Sequence, residues 1–123
     1  MAKDKTVKIM VVDDSLFMRK ILVDILKKAG YTDTIEAADG KAAVEKFKAK
    51  KPDLTLMDII MPTSGIEALK GIMEADSHAK VMMVTAVGQE SVIKEVRAIG
   101  AIDYITKPFK EDKVVAKVKL ALS

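Results

Sequence analysis

Five short runs of strand-favouring residues divide the chain: Val7 to Val12, Thr34 to Ala37, Leu54 to Met57, Val81 to Val84 and Asp103 to Thr106. The first, third and fourth are nearly continuous in apolar residues, the pattern of strands covered on both faces of a parallel sheet. Between the runs the apolar spacing changes to three and four. Met18, Leu22, Ile25, Leu26 and Ala29 form one stripe, ended by Gly30, and Ala43, Val44 and Phe47 form a second before Pro52 and Asp53 break the chain. Gly65 to Glu74 carries Ile66, Leu69, Ile72 and Met73, and Gly88 to Ile99 carries Val92, Ile93, Val96 and Ile99 ahead of Gly100. A last helix from about Glu111 turns Val114, Val115, Val118, Ala121 and Leu122 inward. These spacings predict helices with one apolar face, with glycine as the terminator.

Strand and helix alternate five times on short connections. That order predicts an α/β domain, a doubly wound parallel sheet of five strands with five helices on both faces. Right-handed crossovers leave few ways to wind it. No linker, repeat or low-complexity segment interrupts the alternation, so the expectation is a single domain over residues 1–123.

In such a sheet the loops that follow the strands gather at one edge, where parallel α/β sheets open their ligand crevice. That edge receives Asp13 and Asp14 after the first strand, Asp58 after the third, Thr85 after the fourth and Lys107 after the fifth. The stretch from Leu54 to Pro62 is central: a buried strand closes on the Asp58 carboxylate, and Pro62 stops regular structure soon after. A lone acid there would be read as a turn cap, but capping does not explain Thr85 and Lys107 at the same edge. Crowded carboxylates repel by ~4 kcal/mol per pair at 4 Å and an effective dielectric of ~20. The Lys107 ammonium and a divalent cation offset that, and oxygen ligands without His or Cys point to magnesium.

Charge separates this site from a phosphate cradle. Nucleotide and flavin sites surround phosphate with backbone N–H groups in loops without acids, whereas Asp13-Asp14-Ser15 repels phosphate unless metal is bound. What remains is phosphoryl transfer to a carboxylate. Asp58 would attack phosphorus, the metal would neutralise the developing oxygen charge, and Lys107 and Thr85 would take the other oxygens, with small Ala86 leaving room.

Composition narrows the partners. With 123 residues, 50% of them hydrophobic, the chain buries a core without staples. The absence of cysteine excludes disulfide and thiolate chemistry and fits a reducing compartment. The start lacks the apolar core of a signal peptide and no run approaches a membrane span, so a cytoplasmic location without membrane attachment is expected. The excess of 21 basic over 18 acidic residues, +3, is spread over Lys46 to Lys51 and Lys110 to Lys119 at spacings that suggest solvated faces. With 4% aromatic residues and no coherent basic patch, nucleic acid is not an expected partner. Met10, Met57, Met82 and Met83 lie in the strand runs and are expected to fill the core. His78, the only histidine, is expected on a solvent-facing turn.

Asp13-Asp14, Asp58, Thr85-Ala86 and Lys107-Pro108-Phe109, in this order and on these strand ends, resemble the receiver domain of two-component response regulators. The resemblance covers the whole chain, and Asp13 to Arg19 with Ala86 to Gln89 draws it toward the stand-alone chemotaxis regulators of that family. It implies the flavodoxin-like strand order 2-1-3-4-5, which the periodicity alone does not provide, and no output domain. It implies that Asp58 accepts phosphate from a sensor histidine kinase. Asp14, Asp58 and the backbone carbonyl of Ile60 would bind Mg2+ directly, with Asp13 acting mostly through water. It further implies that Thr85 and Lys107 contact the phosphoryl oxygens, that the bond before Pro108 is cis, and that Tyr104 turns inward when Thr85 moves. Tyr104 would thus couple the site to the face of helix four, strand five and helix five. The implied partners are a motor switch component or adaptor protein as target and a dedicated phosphatase, with the chain acting as a monomer.

Two departures stand out. The family spaces the Pro and Gly after the acceptor by four residues, but Pro62 and Gly65 are three apart. The positions two after the acceptor and two after the Thr, where polar side chains orient a hydrolytic water, hold Ile60 and Val87, so slow self-dephosphorylation is expected. Two function classes follow: a phosphorylated binding switch, and a phosphotransfer intermediate or phosphate sink. A hydrolase built on an aspartyl phosphate is disfavoured, because Ile60 occupies the position of its second acid. Phosphorylation and dephosphorylation of the chain itself would be its only catalysis.

Overall fold

The computed structural model describes residues 7–61, 64–86 and 90–123. Five strands, β1 (Lys8–Val12), β2 (Asp33–Ala37), β3 (Leu54–Asp58), β4 (Val81–Ala86) and β5 (Asp103–Lys107), alternate with five helices. These are α1 (Leu16–Lys28), α2 (Gly40–Lys50), α3 (Gly65–Ala75), α4 (Glu90–Ile99) and α5 (Glu111–Leu122). All neighbouring strands pair in parallel, in the order β2-β1-β3-β4-β5. The chain leaves β1 toward β2 on one side and then crosses to β3 on the other, so the winding reverses between β1 and β3. A crevice opens at the carboxyl ends of strands that part in this way.

The continuous apolar runs are explained by two buried layers. Ile9, Val11, Leu54, Leu56, Met82, Val84 and Ile105 face Leu22, Leu26, Val114 and Val118 on α1 and α5. Their neighbours Met10, Val12, Met57, Val81 and Met83 face the other way, onto Phe47 of α2, Leu69 and Ile72 of α3 and Val96 of α4. Each full burial of such a side chain stabilises by about 1.5–3 kcal/mol. The four strand methionines are completely buried, as core fillers should be.

The helix starts are capped locally. The Ser15 hydroxyl accepts from the Met18 N–H at 3.2 Å, Asp39 from Ala42 at 2.8 Å and Ser64 from Ile66 at 3.1 Å, each worth about 1 kcal/mol. α5 has no capping side chain, and Glu111 and Asp112 in its first turn complement the helix dipole instead.

Several boundaries move. β1 begins at Lys8 instead of Val7, and α4 begins at Glu90, with residues 87–89 outside the described residues. β3, β4 and β5 run on to include Asp58, Thr85-Ala86 and Lys107, because ladder pairs extend them: Asp58 opposite Val84, Thr85 opposite Thr106, Ala86 opposite Lys107. The two lysine-rich stretches are not wholly solvated. The Lys46 ammonium donates to the Glu36 carbonyl at 2.6 Å and Lys117 to the Tyr104 carbonyl at 2.6 Å. His78 is on an exposed turn whose N–H is held by the Asp76 carboxylate, and Phe109 packs against the α1/α5 layer. Among the described residues no helix is long and apolar enough to cross a membrane.

Candidate functional site

The carboxyl ends of β1 and β3 bring Asp13, Asp14 and Asp58 together, each offering one carboxylate oxygen within 4.8 Å of the others. Asp13 and Asp58 are buried, at 1% and 7% exposure, while Asp14 is exposed. Lys107 reaches in from the end of β5, its ammonium 3.3 Å from Asp13 Oδ2 and 3.4 Å from Asp58 Oδ2. Two long contacts shared by one ammonium are weak bonds. Burial raises the Asp58 pKa above its ordinary value. Lys107 and a hydrogen bond from the Ile60 N–H oppose that, and the nearby Asp13 charge adds to it. A carboxyl raised in this way is a stronger base, and hence a stronger nucleophile, than a solvated one.

Three acids against one ammonium leave a charge of about minus two, which a dication would balance. The donor set is oxygen only, so the residues fit a hard cation of the magnesium class. The remaining predicted site residues also lie on this edge or beside it. Thr85 is 4% exposed at the end of β4 and its hydroxyl makes one long bond, 3.4 Å to the Ala86 carbonyl. Ile60, 77% exposed, projects its side chain to solvent two residues beyond Asp58. Val87, its expected counterpart, lies outside the described residues, as does Pro62.

Shortening between Pro62 and Gly65 meets a tight constraint. The Gly65 N–H donates to the Ile59 carbonyl at 2.9 Å, and a Cβ at Gly65 would collide with the Asp58 carbonyl oxygen. Only glycine lets α3 start this close to the acceptor. The Lys107–Pro108 peptide bond is cis.

Tyr104 is half-buried on β5, between α4 and α5. The Lys117 ammonium stands 4.5 Å from its ring centroid and the Arg97 guanidinium 5.6 Å, and Asp103 pairs with both cations, at 3.2 Å and 3.5 Å. Cations over a tyrosine face are attracted by the ring.

Sequence reasoning missed Arg19 as a site residue. Its Nη1 donates to the Asp13 carbonyl at 2.6 Å and its Nε to Glu36 Oε1 at 3.0 Å. The available signal was its place one helical turn after the Ser15 cap, on the side of the acidic turn.

Comparisons with known proteins agree with this arrangement. The response regulator receiver domain model matches residues 9–119. The chemotaxis protein CheY of Thermotoga maritima is 47% identical over 109 residues, 88% of this chain and 91% of that protein. Sporulation initiation phosphotransferase F of Bacillus subtilis is 36% identical over 113 residues, 91% of this chain and 90% of that protein. Among solved structures, a chain of the CheX–CheY–BeF3–Mg2+ complex from Borrelia burgdorferi is similar at a TM-score of 0.91 and 37% identity, covering 95% of this chain and 90% of that one. The chain is therefore a CheY-like member of the response regulator receiver domain family, a two-component signalling domain.

Proposed function

We propose that this single domain is a phosphoreceiver that takes a phosphoryl group from the phosphohistidine of a sensor histidine kinase onto Asp58, and then binds a downstream target in the control of motility. The observation that carries this is the buried Asp58 carboxylate at the crevice, within reach of Asp13, Asp14 and Lys107. A carboxylate oxygen of Asp58 forms a bond to phosphorus as the phosphorus–nitrogen bond breaks. The electron pair stays on the imidazole nitrogen, which returns to neutral histidine with a proton from solvent. Lys107, whose contacts among the described residues are long, can shift from the carboxylates to a phosphoryl oxygen, and the loosely bonded Thr85 hydroxyl can donate to another. Mg2+, held by Asp14, Asp58 and the Ile60 carbonyl with Asp13 behind a water, would neutralise charge on the transferring oxygens. Mg2+ in the Borrelia complex supports that choice of metal, and CheX bound there supports a protein partner that acts on the phosphorylated form.

The output face is α4–β5–α5. Tyr104 lies on it beside a groove of about 390 Å3 lined by Lys107, Lys110, Lys113 and Lys117. A basic groove suits an acidic segment of the target, and movement of Thr85 toward the phosphate would bias Tyr104 between two positions. Similarity to a sporulation phosphotransferase supports a second reading, in which Asp58 passes the group to a histidine of another protein.

Mixing the protein with an autophosphorylated histidine kinase domain and Mg2+ tests the proposal. Label leaving the kinase histidine for wild type and not for Asp58→Asn supports it, and transfer to both variants or to neither contradicts it. A changed Tyr104 ring environment in the phosphorylated form favours the switch. Onward transfer to a second protein's histidine without that change favours the relay.

A further inference from the structure

Asp13 is tied down at four atoms. Its N–H donates to the Ala37 carbonyl at 3.1 Å, Oδ1 accepts from the Ser15 N–H at 2.9 Å and Oδ2 from Lys107 at 3.3 Å. The fourth is its carbonyl oxygen, which accepts from Arg19 Nη1 at 2.6 Å. Asp14, by contrast, is exposed, and no hydrogen bond to another described residue holds its carboxylate. Its aim depends on the peptide unit before it, whose oxygen is the one Arg19 grips.

The grip has a second anchor in Glu36, whose side chain is 44% exposed but whose backbone is held in β2. The Arg19 side chain is 14% exposed, and its Nε is occupied by Glu36 Oε1 at 3.0 Å. Glu36 is fixed in β2, where the Lys46 ammonium from α2 also holds its carbonyl. A guanidinium makes its bonds in fixed directions in one plane, so the Glu36 carboxylate and the Asp13 carbonyl are set at a fixed distance and angle from each other.

We propose that Arg19 is a positioning residue for the metal-binding acids. By clamping the Asp13 carbonyl against Glu36, it orients the Asp13–Asp14 peptide so that the Asp14 carboxylate, which no other described residue holds, meets Asp58 and the cation. The proposal rests on the reading of these acids as a magnesium site. Charge and position act here in opposite directions. Arg19 carries a positive charge beside a cation site, so on charge alone its removal tightens Mg2+ binding, whereas on positioning its removal weakens it.

The sign of the effect is the test. The whole chain, stripped of metal, is titrated with MgCl2 at constant ionic strength by calorimetry for wild type, Arg19→Gln, Arg19→Lys and Glu36→Gln. Thermal unfolding in EDTA confirms that each variant is folded. Arg19→Gln is expected to bind Mg2+ about 10-fold more weakly, the lower end of what loss of an orienting partner costs a metal site. Arg19→Lys keeps the charge but cannot make both bonds, and is expected to bind more weakly than wild type too. Glu36→Gln keeps an oxygen acceptor for Nε and is expected within about twofold of wild type. Equal or tighter binding by Arg19→Gln overturns the proposal, and if that variant does not fold, equal or tighter binding by Arg19→Lys does. Failure of wild type to bind Mg2+ overturns the metal-site reading and this proposal together. Wild-type binding matched by the Arg19 variants overturns the positioning role alone.

Discussion

Asp58→Asn should make the metal-free protein more stable. The three acids approach within 4.8 Å of one another. At an effective dielectric of ~20, each carboxylate pair at that separation costs about 3.5 kcal/mol. Of the two acids beside Asp58, the buried Asp13 disfavours the Asp58 charge while Lys107 at 3.4 Å favours it, and the exposed Asp14 is screened by water. Burial of the carboxylate is the largest effect and leaves its ionised form net unfavourable. Asparagine keeps the shape and an acceptor oxygen without the charge. The expected gain in unfolding free energy at pH 7 is on the order of 1 kcal/mol, a rise in melting temperature of roughly 3–6 °C for a chain of this size.

The pH dependence has a definite sign. The folded Asp58 pKa lies above its ordinary value near 3.8. Stability fully present below that ordinary value is lost as pH rises through the raised folded one. The gap between variant and wild type should therefore be small near pH 3.5, widen as pH rises through the raised folded pKa of Asp58, and then stay constant. Urea unfolding followed by circular dichroism in EDTA at several pH values measures it. A variant no more stable than wild type at pH 7, or a gap that does not change with pH, refutes the reasoning.

Other perturbations act on single contacts. Thr55 is fully buried in β3 with a hydroxyl that has no hydrogen-bond partner among the described residues, so Thr55→Val should add about 1 kcal/mol of stability in denaturant unfolding. Gly65→Ala sets a Cβ against the Asp58 carbonyl. It should cost at least about 2 kcal/mol and weaken Mg2+ binding, both visible in thermal unfolding with and without the metal. Ile60→Asn places a hydrogen-bonding group where the exposed isoleucine offers none. Decay of the phosphorylated protein, followed by intact mass, should quicken about tenfold, the value of roughly 1.4 kcal/mol off the barrier. A wild-type phosphoryl lifetime of only seconds would contradict the shielding argument.

Much of this was legible in the sequence because the sheet is buried on both faces. Runs such as Ile9 to Val12 and Leu54 to Met57 have no competing interpretation as half-exposed strands, and the acids follow them directly. The resemblance to receiver domains supplied the strand order, which periodicity does not encode. The strand ends were misplaced where long-range pairing decides them, as at Lys107, carried into β5 by Ala86. Arg19 and Lys46 were hidden for a related reason. Their partners Asp13 and Glu36 come together only once β1 and β2 pair, and no spacing along the chain distinguishes a lysine on a backbone carbonyl from one in water. Lys117 is the same case: it continues the surface pattern of Lys110 and Lys113, yet covers Tyr104.

The most direct measurement is intact mass after incubation with acetyl phosphate and MgCl2, for wild type and Asp58→Asn, with an EDTA control. A gain of one phosphoryl group that requires Mg2+ and disappears in the variant is the predicted result. No gain in wild type, or an equal gain in Asp58→Asn, would contradict the assignment of Asp58 as the phosphoryl acceptor.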